Sequence, residues 1–341
     1  MRIGWITYAF PNSMTNTDAQ VHISALIRMR YFNIASWLNT NTYDIHNEIY
    51  NPDKKYEIVV LLKMMDTRCQ TEVEKIQHYG GKVIFDANVN YYDIWGNYLV
   101  AQTKPTEEQR KQAIWMTTHA DCVVADSTYL AGLSMRYNEN VVWIPDNVDP
   151  SRYSLVKVHK SRRRPVLVWS GTAPKAAHLL SIKDVMTQLP PAELLVISDR
   201  EPDCLPDLQS VTECRYEHFS TKTYPRLLVE SDIVISPKIL NNGYELGHTE
   251  FKITTGMAQG LPAVASPQQS YLEAVRHNDG GFIACNMSDW KEALTTLIQD
   301  HTLRSEMGAR ARYTVAERYA TAVVAKQYES LFKKMLPADC Q

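Results

Sequence analysis

Short apolar runs alternate with amphipathic stretches along the whole of this chain, and that alternation constrains its fold more than any other feature. An apolar run of roughly 4–8 residues suits a strand buried on both faces, and an apolar period of about 3.6 residues suits a helix lying on such a sheet. In the first half, strands are predicted at Arg2–Thr7, Ile58–Leu62, Lys82–Asp86, Cys122–Ala125 and Val141–Ile144. Helices are predicted at Ala19–Leu38, Thr71–Tyr79, Thr106–His119 and Thr128–Tyr137. Pro145 and the polar stretch Asp146–Lys160 interrupt the pattern, which then restarts. Strands follow at Val166–Trp169, Glu193–Ser198, Ile233–Ser236, Ala263–Ala265 and Gly281–Cys285. Helical patterns fall at Lys175–Gln188, Tyr224–Glu230, Phe251–Gln259, Tyr271–Arg276, Met287–Gln299 and Leu303–Arg318, with a last one from about Thr321 to Met335. Such alternation predicts an α/β protein with parallel sheets. A length of 341 residues, at roughly 150 per domain, predicts two doubly wound Rossmann-like domains in tandem. Ligands of such sheets sit beyond the carboxyl ends of the strands, so a cleft between two facing domains is the expected place for chemistry.

Charge excludes some partners. Lys+Arg 36 against Asp+Glu 38 leaves a net charge of -2, so no global basic excess recruits nucleic acid. An anionic ligand must be met by a local patch. Cys69, Cys122, Cys204, Cys214, Cys285 and Cys340 contain no C-x-x-C pair, which points to free thiols in a reducing compartment and away from a zinc site. The first residues, Met-Arg-Ile-Gly-Trp-Ile-Thr, read as a strand rather than a signal peptide. The longest apolar run, Ile58–Met65, contains Lys63 and falls far short of the ~20 residues that span a bilayer. A cytoplasmic protein is expected. The basic run Lys157, Lys160, Arg162, Arg163, Arg164 reads as a solvated linker; its alternative is peripheral contact with anionic lipid.

The segment most informative about chemistry is Ser236–Ser266, SPKILNNGYELGHTEFKITTGMAQGLPAVAS. It reads as strand, polar glycine-bearing loop, helix, Gly-Leu-Pro turn and strand. The helix is expected to begin near Glu250–Lys252, with Thr254 and Thr255 in its first turn. A helix start offers unpaired N–H groups and a partial positive charge, which suits phosphate. Lys252 adds a full charge and the threonines add hydroxyl donors. The bland alternative is that Thr249 caps the helix and Lys252 is solvated. Of His22, His178 and His248, the last lies in this loop and is the candidate for acid–base work, whereas His178 reads as structural.

Lys252-Ile-Thr-Thr-Gly-Met-Ala-Gln-Gly-Leu-Pro262-Ala-Val-Ala265 resembles the K-x-x-E-x-M-A-x-G-x-P-V-V-A signature of retaining GT-B glycosyltransferases, the glycosyl transferases group 1 enzymes of family 4. Further segments fall in that family's order: Ala120–Ser127 (ADCVVADS), Trp143–Asp149 (WIPDNVD), Val166–Lys175 (VLVWSGTAPK), Tyr224–Pro237 (YPRLLVESDIVISP) and the MGARAR…ERY run. The match covers most of residues 120–335. It implies an N-terminal acceptor domain over 1–150, a nucleotide-sugar domain over 151–318, and a final helix over 319–341 crossing back to the first domain.

The resemblance also implies roles. The leaving diphosphate would meet Lys175, Lys252, His248 and the segment Gly247–Thr255, including Thr249, Glu250 and Thr254, with no metal ion. No Asp-x-Asp metal motif is present. The loop Gly171–Thr172 and the strand ends Ser198–Arg200 and Glu217–Ser220, with Asp199 and Phe219, would hold the rest of the donor. Asp86, in the segment Phe85–Asp93, would stand by the reacting sugar, with Asn90, Tyr91, Arg28 and Arg30 toward a glycan or lipid-linked acceptor. Their alternatives are turn capping, core packing and a solvated helix face. The sequence departs from the pattern in three places. Gly247 and Thr255 stand where the family has two glutamates, leaving a ribose contact to Glu250 or Glu245. Thr172 stands near an expected Arg, and Pro11–Asp18 replaces a glycine-rich loop. These departures keep two other readings open: a degenerate relative that binds glycan or a partner, and a nucleotide-sugar epimerase.

Overall fold

The computed structural model describes residues 1–7 and 28–336. Pro11–Asp18, His22, the first part of the helix expected at Ala19–Leu38, and Cys340 lie outside the described residues. The chain divides into two compact units. Unit 1 takes residues up to Trp95, Pro105–Asn147 and the chain from Ala320; unit 2 takes Gly96–Lys104 and Val148–Tyr319.

Unit 1 is built on β1 (Arg2–Ile6), β2 (His46–Ile49), β3 (Ile58–Leu62), β4 (Lys82–Ala87), β5 (Cys122–Ala125) and β6 (Val141–Trp143). They form a six-stranded parallel sheet in the order β2-β1-β3-β4-β5-β6. Side chains alternate across it. Val59 and Leu61 enter the core on one face, while Ile58, Val60 and Leu62 enter the core on the other. That is why β3 reads as an unbroken apolar run. The helix Thr321–Met335 supplies Val324, Ala325, Tyr328 and Phe332 to the second of these cores.

Unit 2 repeats the plan with β7 (Val166–Ser170), β8 (Glu193–Ser198), β9 (Glu213–His218), β10 (Ile233–Ser236), β11 (Ala263–Ala265) and β12 (Gly281–Ile283). Its six parallel strands run β12-β11-β10-β7-β8-β9. Both sheets hold one strand that the apolar pattern does not announce. These are β2 and β9, each the outermost strand on its side. Their sequences, HNEI and ECRYEH, carry exposed polar residues because an edge strand is only partly covered. The expected helix before Leu38 is a π-helical turn, Arg28–Asn33, followed by an α-helix, Ile34–Asn41.

Lys160, Arg162, Arg163 and Arg164 of the basic run are exposed, as a solvated linker requires, but Lys157 is not, and three of the five residues are paired. Lys157 is buried against Asp232 at 3.0 Å, Arg162 pairs with the same carboxylate at 3.3 Å, and Arg164 pairs with Glu213. Most of its charge is met within unit 2. Cys69, Cys122, Cys204, Cys214 and Cys285 are free thiols. No helix among the described residues is long and apolar enough to cross a membrane.

Candidate active site

In unit 2 the chain runs from β7 outward to β8 and β9, and from β10 outward the other way to β11 and β12. The direction of winding therefore reverses between β7 and β10. Doubly wound sheets bind ligands beyond the strand ends at such a reversal. Lys175 follows β7 and Lys238 follows β10, so both fall at this point.

Lys175, near the start of the 3-10 helix Ala173–Ile182, donates to Tyr244 Oη at 3.1 Å and lies 2.8 Å from His248 Nε2. An ammonium can only donate, so Nε2 accepts and the neutral ring carries its proton on Nδ1. Lys252, in the helix Phe251–Ala258, holds its Nζ 5.2 Å from the Trp169 ring centroid. A Cβ on Gly171 would come within 3.0 Å of that Nζ, so the glycine leaves the ammonium its room. Lys238 is buried and donates to Glu245 Oε2 at 2.6 Å. The other Glu245 oxygen lies 3.5 Å from His178 Nε2, and His178 Nδ1 accepts from the Ile239 N–H at 3.1 Å.

Three ammonium groups thus share one carboxylate. The electrostatics follow. Burial, then the crowding of Lys238 and Lys175, pushes the Lys252 ammonium well below its usual pKa. Burial, then Lys175 and Lys238, pushes His248 well below its usual range. Burial works to raise Glu245, but Lys238 and the neighbouring His178, His248 and Lys175 override it and hold the carboxyl far down. Positive groups held this close favour the arrival of an anion. Lys175, His248 and Lys252 are all only partly buried, so an anion can reach them.

The structure corrects several expectations about donor contacts. Thr255 is fully buried with its hydroxyl 3.1 Å from Tyr224 Oη, and Thr254 bonds its own helix at Glu250 O and Phe251 O. Ser198 is buried with its hydroxyl on the Arg200 carbonyl, and Glu250 is 1% exposed. All four are buried and offer a ligand no surface. Glu245 is no substitute ribose contact, because its carboxylate is engaged by Lys238. Asp199 accepts from the Ala173 N–H at 2.7 Å, which ties the loop after β7 to the end of β8. Phe219 leans on Tyr224 at 5.2 Å and donates its N–H to Ser198 O, so the ends of β8 and β9 adjoin. Gly171, Thr172, Phe219, Thr249 and the 3-10 turn bearing Lys175 keep accessible surface, while Gly247 is buried where it ends the helix Gly243–Leu246. Thr249 does not cap the next helix; Glu250 holds that position.

In unit 1, Arg30 and Asp86 are corrected together. Arg30 is 1% and Asp86 0% exposed, and they pair at 2.8 Å. The guanidinium also donates to Ile144 O, Asp146 and Tyr328 Oη, and the Tyr328 hydroxyl donates to Asp86 at 2.6 Å. Neither residue presents surface to an acceptor. Asn90 is buried as well, accepting from the Tyr92 and Asp93 N–H groups in an Asx turn. Tyr91 and Arg28 remain partly exposed. Sequence reasoning missed Lys238 and Tyr244. The available signal was position: Lys238 stands just past the end of β10, on the same sheet edge as Lys175.

Among the described residues, no group of three or more His, Cys, Asp and Glu is placed to hold a metal ion. Comparison with known proteins agrees with the fold. Residues 164–300 match the family described as Glycosyl transferases group 1. An 86-residue stretch is 29% identical to N-acetyl-alpha-D-glucosaminyl L-malate synthase of Bacillus anthracis; it covers 24% of this chain and only 22% of that relative's length. A glycosyltransferase from Rickettsia africae superposes with a TM-score of 0.68 at 12% identity, over 99% of this chain and 98% of the other. Alr3699/HepE of Anabaena, in complex with UDP, gives a TM-score of 0.65 at 14% identity, over 98% of this chain and 100% of the other. The fold is therefore GT-B. The stretch that resembles the group 1 glycosyltransferase family, residues 164–300, lies within unit 2.

Proposed function

We propose that this protein transfers a glycosyl group from a nucleoside-diphosphate sugar to a glycan or lipid-linked acceptor, with retention of anomeric configuration and without a metal ion. The observation that carries this reading is the gathering of ammonium groups at the winding reversal of unit 2, where Lys238 engages Glu245 and Lys175 lies against His248, with Lys252 close enough for the three lysines to act on one another. A diphosphate carries the complementary charge. The UDP complexes of Anabaena Alr3699/HepE and of S. aureus TarM support the same class of donor.

During transfer, the bond from the anomeric carbon to a phosphate oxygen breaks and a bond to the acceptor oxygen forms. Negative charge gathers on the departing diphosphate, and the acceptor proton leaves with it. Fixed positive groups aimed at that charge lower the barrier. Lys175 and Lys252 fill this role, and neutral His248, already accepting from Lys175, can become a second donor once the anion is present. Lys238 sits beneath them and keeps Glu245 from neutralising either.

The test is a thermal-shift panel with UDP, GDP, dTDP, ADP and CMP, with and without magnesium. One diphosphate is expected to raise Tm regardless of metal, because ligand bound only to the native state stabilises it. Sugars of that base are then screened, and the product anomer is read by NMR. No shift with any nucleotide overturns the proposal. A second reading, a homologue that binds without transferring, is favoured by Gly247 and Thr255 at the places of the family's paired glutamates. A shift without turnover of any matching sugar nucleotide would select it, and turnover without an acceptor would select an epimerase.

A further inference from the structure

We propose that residues Gly96–Lys104 form a clip that positions the partners of the donor-side lysines, with Gly96 and Asn242 as its positioning residues. The inference rests on the reading of the Lys175–Lys252 cluster as a diphosphate site. The clip begins with an isolated antiparallel bridge, Gly96 to Asn242. The Asn97 N–H donates to Asn241 O at 3.3 Å, and Asn242 Nδ2 donates to Asn97 O at 2.8 Å. Asn242 is 2% exposed, and the other end of its amide is also engaged: Oδ1 accepts from the Glu245 N–H at 2.8 Å and caps the helix Gly243–Leu246. The two contacts fix the amide orientation, since only the oxygen can accept and only the nitrogen can donate.

Only glycine closes this bridge. Gly96 has φ +85°, and a Cβ there would fall 1.9 Å from Asn241 O. What the bridge holds is a helix of a single turn, too short to hold itself. That turn carries Tyr244, whose hydroxyl receives Lys175, and Glu245, which receives Lys238. Tyr244 also sets its ring edge-on against His248 at 4.3 Å. Every group that organises the ammonium cluster from this side therefore hangs on the residue the clip grips. In sequence the clip is an excursion of the first half of the chain, entered after Trp95 and left before Pro105.

Two substitutions break the clip from opposite sides without touching the cluster. Asn242→Asp keeps the capping oxygen, removes the N–H donor and turns a carboxylate toward the Asn97 carbonyl. Gly96→Ala fills the space against Asn241. Hydrogen exchange of the unliganded full chain should be at least ~10-fold faster at residues 243–249 in both variants, with β3 and β8 unchanged. Inorganic pyrophosphate, titrated calorimetrically, should bind on the order of 10-fold more weakly to each. By reciprocity, pyrophosphate should slow exchange at residues 96–104 in the wild type. Wild-type exchange at 243–249 in both variants overturns the clip, and faster exchange with unchanged pyrophosphate affinity overturns its positioning role. If wild-type protein binds no pyrophosphate, the phosphate reading itself fails, and the exchange data alone judge the clip. If Gly96→Ala does not fold, Asn242→Asp carries the test.

Discussion

Each sheet holds a polar cluster at its carboxyl edge, and the two clusters are opposite in sign. In unit 1, Asp86 and Asp146 close on Arg30, with Asp126 beside them. In unit 2, Lys175, Lys238 and Lys252 gather around Glu245. Both exceed their counter-charge, and both answer by moving protons. Burial, then Asp146, pushes Asp126 well above the usual carboxylate range, while burial and neighbouring ammoniums push Lys252 and His248 down. They differ in place and closure. The acids lie at the carboxyl ends of β4, β5 and β6, away from the reversal between β1 and β3, and the Tyr328 hydroxyl joins the buried Arg30–Asp86 pair. Lys175 and Lys238 flank the reversal between β7 and β10, and Lys175 and Lys252 keep accessible surface. Excess charge alone does not make a binding site. The site proposed in unit 2 has, besides its charge, accessible lysines at a winding reversal.

The comparison can be broken most forcefully from unit 1. Arg30→Met should cost about 3–5 kcal/mol in urea unfolding, because removing one partner of a buried pair strands the other. If the loss is under about 1 kcal/mol, the cluster is not a closed structural element. In unit 2, Lys175→Ala and Lys252→Ala should each lower turnover at least ~10-fold, or about 1.4 kcal/mol of transition-state stabilisation, with no matching loss of stability. Wild-type rates in both would refute the diphosphate role.

The pH responses should run in opposite directions. Asp126 holds its proton more tightly folded than unfolded, so its contribution is present below an unfolded pKa of about 3.9 and is lost as pH rises through the folded value. His178 and His248 have lowered folded pKa values, so theirs is present above about 6.5 and is lost as pH falls. Hydrogen exchange of each unit, corrected for intrinsic rates, should show unit 2 loosening below about pH 6.5 while unit 1 does not. The smallest effect concerns His248. An arriving diphosphate favours its protonated form, so diphosphate affinity should tighten between pH 8 and pH 6 by roughly 2–5-fold, and His248→Gln should flatten that slope.

Much of this was legible in sequence, for identifiable reasons. Strands β3, β5, β8, β10 and β11 were predicted with their observed bounds, because residues buried on both faces leave an uninterrupted apolar run. Lys175, His248 and Lys252 were singled out because their segments follow recognisable strand ends, and the structure brings them close together. The errors share a cause. Arg30, Asp86 and Asn90 were assigned to the acceptor side because polar residues in such segments look like ligand contacts; Arg30 and Asp86 are instead enclosed with Tyr328, hundreds of positions away in the chain, and Asn90 turns into its own loop. Thr255 was placed toward a ligand by its motif position, yet its hydroxyl pairs with that of Tyr224 inside the unit. Periodicity says which face a residue occupies. It does not say which distant side chain will cover it.

The return of the helix Thr321–Met335 to unit 1 has a consequence for synthesis. A ribosome emits the strands of the first unit early, but the core they need includes Val324, Tyr328 and Phe332. Arg30 and Asp86 must therefore wait, one ring short of their enclosure, until nearly all of unit 2 has emerged. The second unit to be translated is the first that can finish, and chaperone demand on this chain should fall on its beginning rather than its end.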